Sequence, residues 1–351
     1  MKKIRWGVLG AGGIAERRTI PGLLQAKNAE LYAVMEIDQA MAEAIRVRQG
    51  AVKAYTSDQD LIDDPNVDAI YIASPVKFHA AQAMKAIKAK KPFLIEKPLA
   101  LSADEADTIA KAAKEAGVPA ACGLMMRFGT WHQKFRELIR NGQLGTVITA
   151  KAQFSCWYPD MAGSWRQKKA TAGGGALMDM GVHCIDLIQS ILGSKAVRVA
   201  ALIKTRAFQY EVEDTSNLLI ELADGTNVQV EACFNIPDAA ANWRLEFSGT
   251  QGSIVANETI GQIDGGQAKI TLAGVQAGYN AIQDNTRTET KVEEPKEFGN
   301  MYSREIESFS RSLLEGTPVE VPLTDAVQVQ RVVEAAYRSA QEGIFVSVDP
   351  S

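Results

Sequence analysis

Short apolar runs alternate with helical spacing through the first third of the chain. The runs at 4–9, 31–35, 69–73 and 93–95 are brief, apolar and closed by Gly, Pro or a charged residue. That is the pattern of strands buried on both faces. Stretches 80–89 and 104–116 read as helices, the second rich in Ala, Lys and Glu. Ser102 and Glu105 form a capping box at its start, and Gly117 ends it. This alternation predicts a parallel sheet covered by helices on both faces, an α/β domain over residues 1–122.

The rhythm changes after residue 122. One long strand is expected over 146–156, then a loop rich in Trp, Gly and Lys to Gly174, then a helix over 175–192. Runs at 196–206, 215–222, 226–235 and 242–249 suggest successive strands, with Asp224-Gly225 as a hairpin turn between two of them. Trp243 and Phe247 alternate along the last run and read as sheet-face residues. Helices are expected near 300–315 and 324–342. Residues 123–351 therefore read as an α+β domain dominated by a sheet.

Composition narrows the function classes. A length of 351 residues suits two domains with substantial cores. Hydrophobic residues are 46% and charged residues 23%, which excludes general disorder. The formal net charge of −4 gives no reason to expect nucleic acid or an anionic membrane as partner. No apolar run approaches the roughly 20 residues of a bilayer span, and no secretory leader is visible, so a cytoplasmic location is expected. Cys122, Cys156, Cys184 and Cys233 form no Cys-x-x-Cys pair and read as buried reduced thiols. Only His79, His132 and His183 are available for imidazole chemistry.

The segment Gly10-Ala11-Gly12-Gly13-Ile14-Ala15 follows the first strand and opens a helix, matching G-x-G-x-x-G/A. Gly10 permits the tight turn, Gly12 lets backbone approach a pyrophosphate, and free N–H groups from Gly13 and Ile14 onward favour phosphate. Glu36 ends the second strand, 21 residues beyond Ala15, where a carboxylate accepts hydrogen bonds from ribose hydroxyls. Ile37-Asp38-Gln39 offers no cation for a 2′-phosphate, so NAD is expected over NADP.

Three further elements carry a resemblance. Ile72-Ala73-Ser74-Pro75 is followed by His79; Glu96-Lys97-Pro98 closes a strand; Gly173-Gly174-Gly175 leads through Asp179 to His183. Together, and from Gly10 to Gly343, the chain resembles the Gfo/Idh/MocA oxidoreductases. The resemblance implies a Rossmann domain joined to a domain with a large, mostly antiparallel open sheet, with the C-terminal helix packing back on the first domain. It implies NAD(P)-dependent hydride transfer to or from a sugar, cyclitol or related polyol, and a homodimer or homotetramer built on the second sheet. Lys97 matches the catalytic lysine, and Asp179 and His183 the acid–base pair. Glu96 and His79 are expected near the nicotinamide ribose, with Ser74 beside the cofactor cleft. Met125-Met126-Arg127-Phe128 stands where many relatives carry Asn-Arg-Arg-Phe, leaving Arg127 as one polar substrate anchor. Trp165-Arg166 resembles a pair in anhydrofructose reductase and some pyranose dehydrogenases, which suggests contact with cofactor or sugar.

The residue types suit such a reaction. Oxidising a secondary alcohol requires a base for the hydroxyl proton, and imidazole suits that task near neutral pH. Asp179 and His183 at i, i+4 share a helix face, so the carboxylate is expected to orient the ring. Lys97 brings a positive charge for the developing alkoxide. Asp186, three residues beyond His183, and Tyr158 in the Trp-rich loop are further candidate substrate contacts. Asp179, His183 and Asp186 lack a second histidine to support a metal, so none is expected. Two alternatives use the same residues: an NAD-recycling glycosidase acting through transient ring oxidation, and a catalytically silent nucleotide sensor.

Overall fold

The computed structural model describes residues 2–273 and 295–349. Six strands form the first sheet: β1 (Ile4–Leu9), β2 (Ala29–Met35), β3 (Lys53–Tyr55), β4 (Ala69–Ile72), β5 (Phe93–Glu96) and β6 (Ala120–Gly123). They lie in the order β3-β2-β1-β4-β5-β6, and every pairing is parallel. The order reverses beside β1, so the ends of β1 and β4 open a crevice where ligands bind in such sheets. Helices α1 (Ile20–Gln25), α2 (Gln39–Gln49), α3 (Asp58–Asp63), α4 (His79–Lys88) and α5 (Ala103–Ala116) flank it. Ser102 Oγ accepts from Glu105 N, and Gly117 adopts a left-handed conformation at the end of α5, as the capping pattern predicts.

Residues from α6 (Thr130–Arg140) onward build the second half. β7 (Val147–Ser155), α7 (Lys169–Ala172), α8 (Val182–Leu192), β8 (Ala196–Lys204), β9 (Thr215–Leu222) and β10 (Asn227–Cys233) come first. They are followed by β11 (Leu245–Gly249), β12 (Gly252–Asn257), β13 (Gln267–Leu272), α9 (Met301–Glu315), α10 (Leu323–Glu342) and β14 (Val346–Ser347). The eight strands run β13-β12-β11-β7-β10-β9-β8-β14, antiparallel except for β7 beside β10. Gly225, at φ 86°, makes the turn between β9 and β10.

Strand alternation sorts the first sheet's side chains into two cores. Leu9, Ile72, Ile95 and Cys122 face one side; Val8, Tyr71, Leu94 and Ala121 face the other. That second side is covered by α1 and by Ile306 and Phe309 of α9, with Trp6 Nε1 donating to Ser310 Oγ at 3.1 Å. Helix α10 packs on α5 and β8, joining the two halves through one continuous core. On the second sheet, α6, α8 and α10 cover one face, and the other carries exposed Leu202 and Leu219.

Two readings along the chain differ from this structure. Trp243 lies outside β11 at φ 43° and donates to Ser155 O, whereas Phe247 is fully buried against Phe135. The helical stretch Lys169–Leu192 is long and apolar enough to cross a bilayer by length and composition, contrary to expectation. Most of its apolar window, however, is buried inside the protein.

Candidate active site

The glycine turn after β1 has no room for side chains at Gly10. Its φ is +69°, and a Cβ there would lie 2.7 Å from Ser74 Cα and N. Ser74, at the end of β4, thus sits directly against the turn. Gly13 is also left-handed, and its Cβ position meets nothing within 4 Å, so the cradle is open there. Ile14 then leads into a π-helical turn, Ala15–Thr19, ahead of α1. Glu36 reaches back across the turn and accepts from Gly12 N at 2.7 Å.

His79 opens α4. Its Nε2 lies 2.8 Å from Ser74 O and its Nδ1 3.0 Å from Pro98 O, which stitches the end of β4 to the end of β5. Burial pushes the imidazole down to about 4, so it is a neutral linker at neutral pH. Both ring nitrogens face backbone carbonyl oxygens, and the neutral ring donates to one of the two. Glu96 is buried beside Lys97, whose backbone N donates to Glu96 Oε2 at 3.3 Å. It is 8% exposed, accepts from the Tyr71 hydroxyl at 2.7 Å, and burial raises its pKa.

Lys97 follows β5, and its Nζ donates to Asp179 Oδ1 at 2.8 Å and to Asp179 O at 2.7 Å. Asp179 lies in a second π-helical turn, Leu177–Gly181, which leads into α8. Burial opposes its ionisation, yet Lys97 and then Arg166 hold the carboxyl well below the usual carboxylate range. His183 is one turn further on, 4% exposed, with its ring edge-on to Phe154. Burial, reinforced by the charge of Lys97, pushes the imidazole well below its usual value, so it is neutral. Its Nδ1 is buried with no hydrogen-bond partner.

The expected Asp179–His183 hydrogen bond is absent among the described residues, and no contact within 4.0 Å pairs the two groups. The π turn gives Asp179 a different angular offset from an ordinary i, i+4 pair, and its carboxylate is taken by Lys97. The three groups still share one electrostatic neighbourhood: Lys97 and Asp179 both act on His183.

The loop after β7 brings a fourth group. Arg166 Nε lies 3.9 Å from Asp179 Oδ1, and the guanidinium stacks on Trp165 at 4.4 Å. Tyr158 donates or accepts with Ser164 Oγ at 2.8 Å and packs on Phe234, so its hydroxyl is engaged within the loop. Arg127 and Asp186 are elsewhere. They form a buried bidentate pair, extended by Asp325 at 2.9 Å from Arg127 Nη1, and line a separate cavity. Their side chains are consumed in joining α8 to α10, which removes them from the substrate contacts expected of them. Among the described residues no three His, Cys, Asp or Glu side chains are grouped to hold a metal ion.

Residues 4–124 match the profile described as "Oxidoreductase family, NAD-binding Rossmann fold", and residues 132–255 match the "GFO/IDH/MocA C-terminal domain". D-xylose 1-dehydrogenase (NADP(+)) 2 of Haloferax volcanii is 30% identical over 98% of this chain and 99% of its own. The chain belongs to the GFO/IDH/MocA oxidoreductase family. 1,5-Anhydro-D-fructose reductase of Ensifer adhaerens is 30% identical over 74% of this chain and 77% of its own. Aldose-aldose oxidoreductase of Caulobacter crescentus, solved with glycerol, superposes with a TM-score of 0.85 at 26% identity, over 99% of this chain and 100% of that one.

Two carboxylates of this GFO/IDH/MocA enzyme escaped the sequence reading. Glu213 accepts from Gly175 N at 2.9 Å and Leu177 N at 3.0 Å, fixing the start of the Asp179 turn. A Cβ at Gly174 or Gly175 would collide with Tyr337 or Glu213, which accounts for the glycine run. Nothing local in the sequence signals this partner, because Glu213 arrives from the loop before β9.

The other is Glu305 on α9. It is 2% exposed, and both carboxyl oxygens lack a hydrogen-bond partner. Burial, then Glu96 and Asp186, raise its pKa well above the ordinary value, so it is a neutral acid in the fold. Its signal was an acid placed on the apolar stripe of Tyr302, Ile306 and Phe309. Because the folded form holds a proton that the unfolded chain releases, the contribution of Glu305 to stability is greatest below the ordinary carboxyl pKa and declines as pH rises. The isosteric Glu305→Gln removes that dependence. Its melting temperature relative to the parent is expected to rise between about pH 5 and pH 8. An equal offset at both ends of that range would show that Glu305 is ionised.

Proposed function

We propose that this protein transfers a hydride between NAD and a ring secondary alcohol of a sugar, cyclitol or related polyol, with Lys97 and His183 acting on the reacting oxygen. The observation that carries the reading is a fixed ammonium–carboxylate pair at 2.8 Å beside a neutral, unpaired imidazole, next to an open glycine turn. Residues 1–122 then serve as the cofactor half and 123–351 as the substrate and assembly half.

The residues at the turn fit a dinucleotide. Gly10, Gly12, Gly13 and Ile14 would hold the pyrophosphate, Ser74 would flank it, and Glu36 would accept from the adenine ribose. A bound nicotinamide supplies the hydride acceptor in the oxidative direction. His183 takes the hydroxyl proton as general base, which its neutral state permits. Lys97 holds the same oxygen and stabilises its developing negative charge. Asp179 positions the Lys97 ammonium, and Arg166 keeps that carboxylate ionised once Lys97 turns to substrate. The names of the two curated relatives, a reductase and a dehydrogenase of sugars, support this substrate class.

NAD preference rests on Glu36, since no cation stands at 37–39 to receive a 2′-phosphate. Glu36→Ala is expected to lower the ratio of kcat/KM with NAD to that with NADP by about 10-fold, the scale of relieving one like-charge contact. An unchanged ratio would remove Glu36 from the ribose site.

The open face of the second sheet supports pairing with another copy of this chain. It carries a groove of about 650 Å³ with exposed Leu202, Leu219 and Phe345, and both charge signs, Lys151 and Glu231 among them. Across a two-fold axis, charges of opposite sign on one patch can pair with each other. Light scattering is expected to find a particle at least twice the 38.0 kDa chain mass; a monomer would contradict it.

Incubating the protein with NAD and a panel of free sugars, cyclitols and glycosides tests the whole reading. NADH appearance with at least one of them is expected. Tight cofactor binding with no turnover of any would overturn it.

A further inference from the structure

Helix α10 is tied by side chains to both of the segments that present Lys97 and Asp179. Its apolar residues Val332, Val333 and Ala336 are buried, and Arg331, Glu334 and Tyr337 follow one another at three-residue spacing along its side. Glu334 reaches the first half of the chain. Its Oε1 accepts from Ala103 N at 2.6 Å, and Arg331 Nη2 donates to Asp107 Oδ1 on the same helix at 3.4 Å. Ala103 is the first residue of α5, so its N–H has no partner within that helix. The positive end of α5 favours a carboxylate there as well. Only the segment 98–102 separates this anchor from Lys97.

Tyr337, one turn along, reaches the second half. Its hydroxyl donates to Glu213 Oε1 at 2.8 Å, the same oxygen that accepts from Leu177 N. Glu213 Oε2 accepts from Gly175 N, and Glu213 O accepts from Ala176 N at 3.0 Å. Gly175 O then accepts from Asp179 N at 2.9 Å. Bonds therefore run without a gap from α10 to the residue that holds the Lys97 ammonium. Space is equally tight: a Cβ at Gly174 would lie 1.9 Å from the Tyr337 hydroxyl oxygen.

The two anchored segments also meet each other. A Cβ at Gly173, where φ is 77°, would lie 3.3 Å from Leu101 O. The Lys97 and Asp179 segments are thus in contact, and each is fastened to the same stretch of α10. The 2.8 Å bond from Lys97 Nζ to Asp179 Oδ1 joins the two halves, so its geometry depends on how they are spaced. Misplacing a reacting group by about 1 Å can cost on the order of 100-fold in rate.

We propose that Glu334 and Tyr337 are positioning residues for hydride transfer: from one stretch of α10 they hold the Lys97 segment and the Asp179 turn in register. They act on the reacting oxygen only through Lys97. This rests on the hydride-transfer reading above and adds two residues on which turnover depends, neither of which bonds to Lys97 or Asp179 itself.

The test is the single-turnover rate of NADH oxidation, with protein in excess and a keto-sugar that the parent reduces, so that slow variants can be followed for hours. Glu334→Ala and Tyr337→Phe together are expected to lower that rate by about 10-fold, the scale of one lost hydrogen bond to a charged group. NADH affinity, read by fluorescence, should be retained. Glu334→Gln keeps an acceptor for Ala103 N and should recover most of the loss caused by Glu334→Ala. In a Lys97→Met background the same pair of changes should cost less than about two-fold, because no ammonium remains to be positioned. An equal loss in both backgrounds, or a loss matched by weaker NADH binding, would show general structural damage and overturn the assignment. So would a parent-like rate in the paired variant. Should Lys97→Met be too slow to follow, recovery by Glu334→Gln at unchanged NADH affinity decides, and its failure overturns the assignment. A parent protein that reduces no keto-sugar and oxidises no member of the sugar panel fails the hydride-transfer reading itself, a different outcome from turnover that ignores α10.

Discussion

Lys97→Met is expected to lower kcat for sugar oxidation by at least about 100-fold while NAD still binds. The side chain is 17% exposed and its ammonium is fixed on Asp179 by two hydrogen bonds, so it is already oriented before substrate arrives. Methionine keeps the length and apolar stem but removes the charge, leaving a developing alkoxide without its cation. It also leaves the Asp179 carboxylate with only Arg166, at 3.9 Å, and its pKa rises accordingly. Cofactor affinity, read by NADH fluorescence, should be retained, because Lys97 contributes nothing to the glycine turn. Turnover within a few-fold of the parent would remove Lys97 from the chemistry.

His183→Ala is expected to cost at least about 100-fold in kcat, the usual scale for losing a positioned general base. The imidazole is kept neutral chiefly by burial and secondly by the charge of Lys97. Lowering the pH protonates it and abolishes base catalysis, so the acid limb of oxidation should lie below the ordinary imidazole value of about 6.5. Removing Lys97 withdraws one of the influences that depress it. The residual activity of Lys97→Met should therefore show its acid limb at a higher pH than the parent. An acid limb that stays where it was, in a variant with measurable activity, would place the titrating group outside the reach of Lys97.

β1, β2, β4 and β5 were legible because strands buried on both faces leave short apolar runs, whereas β3 and β6 of the same sheet were not read. Lys97 and the glycine turn could be placed for that reason: both sit immediately after a strand. Strand–helix alternation pointed to the parallel sheet and an Asp-Gly turn to one hairpin of the second, whereas the large, mostly antiparallel open sheet was implied by the family resemblance. Long-range pairings were not legible. Helical spacing put Asp179 and His183 on one face, but it gave no warning of the π turn or of Lys97 claiming the carboxylate across 82 residues of sequence. Arg127 was expected at the site from the family resemblance, and Asp186 from its place three residues beyond His183. Their complementary charges and burial bound them to each other. Strands β12 and β13 also went unread, since they follow the last recognised run without a comparable apolar pattern.

The covering of the first sheet by α9 has the same character. Its stripe of Tyr302, Ile306 and Phe309 announces a buried helix face, yet only the fold shows that the buried surface includes Trp6 and Tyr71 of the first sheet. This packing brings Glu305 beneath the same strand ends that present Glu96 and Lys97.

Label transfer addresses the central claim most directly. NADH carrying deuterium at C4 is mixed with the protein and a set of keto-sugars and keto-cyclitols whose ketone is a ring carbon, and the products are read by mass spectrometry. Deuterium is expected on the ring carbinol carbon of the product with the parent protein, and to be lost with His183→Ala and Lys97→Met, which still bind NADH. Bound NADH with no label reaching any sugar, or label transfer undiminished in both variants, would contradict the account.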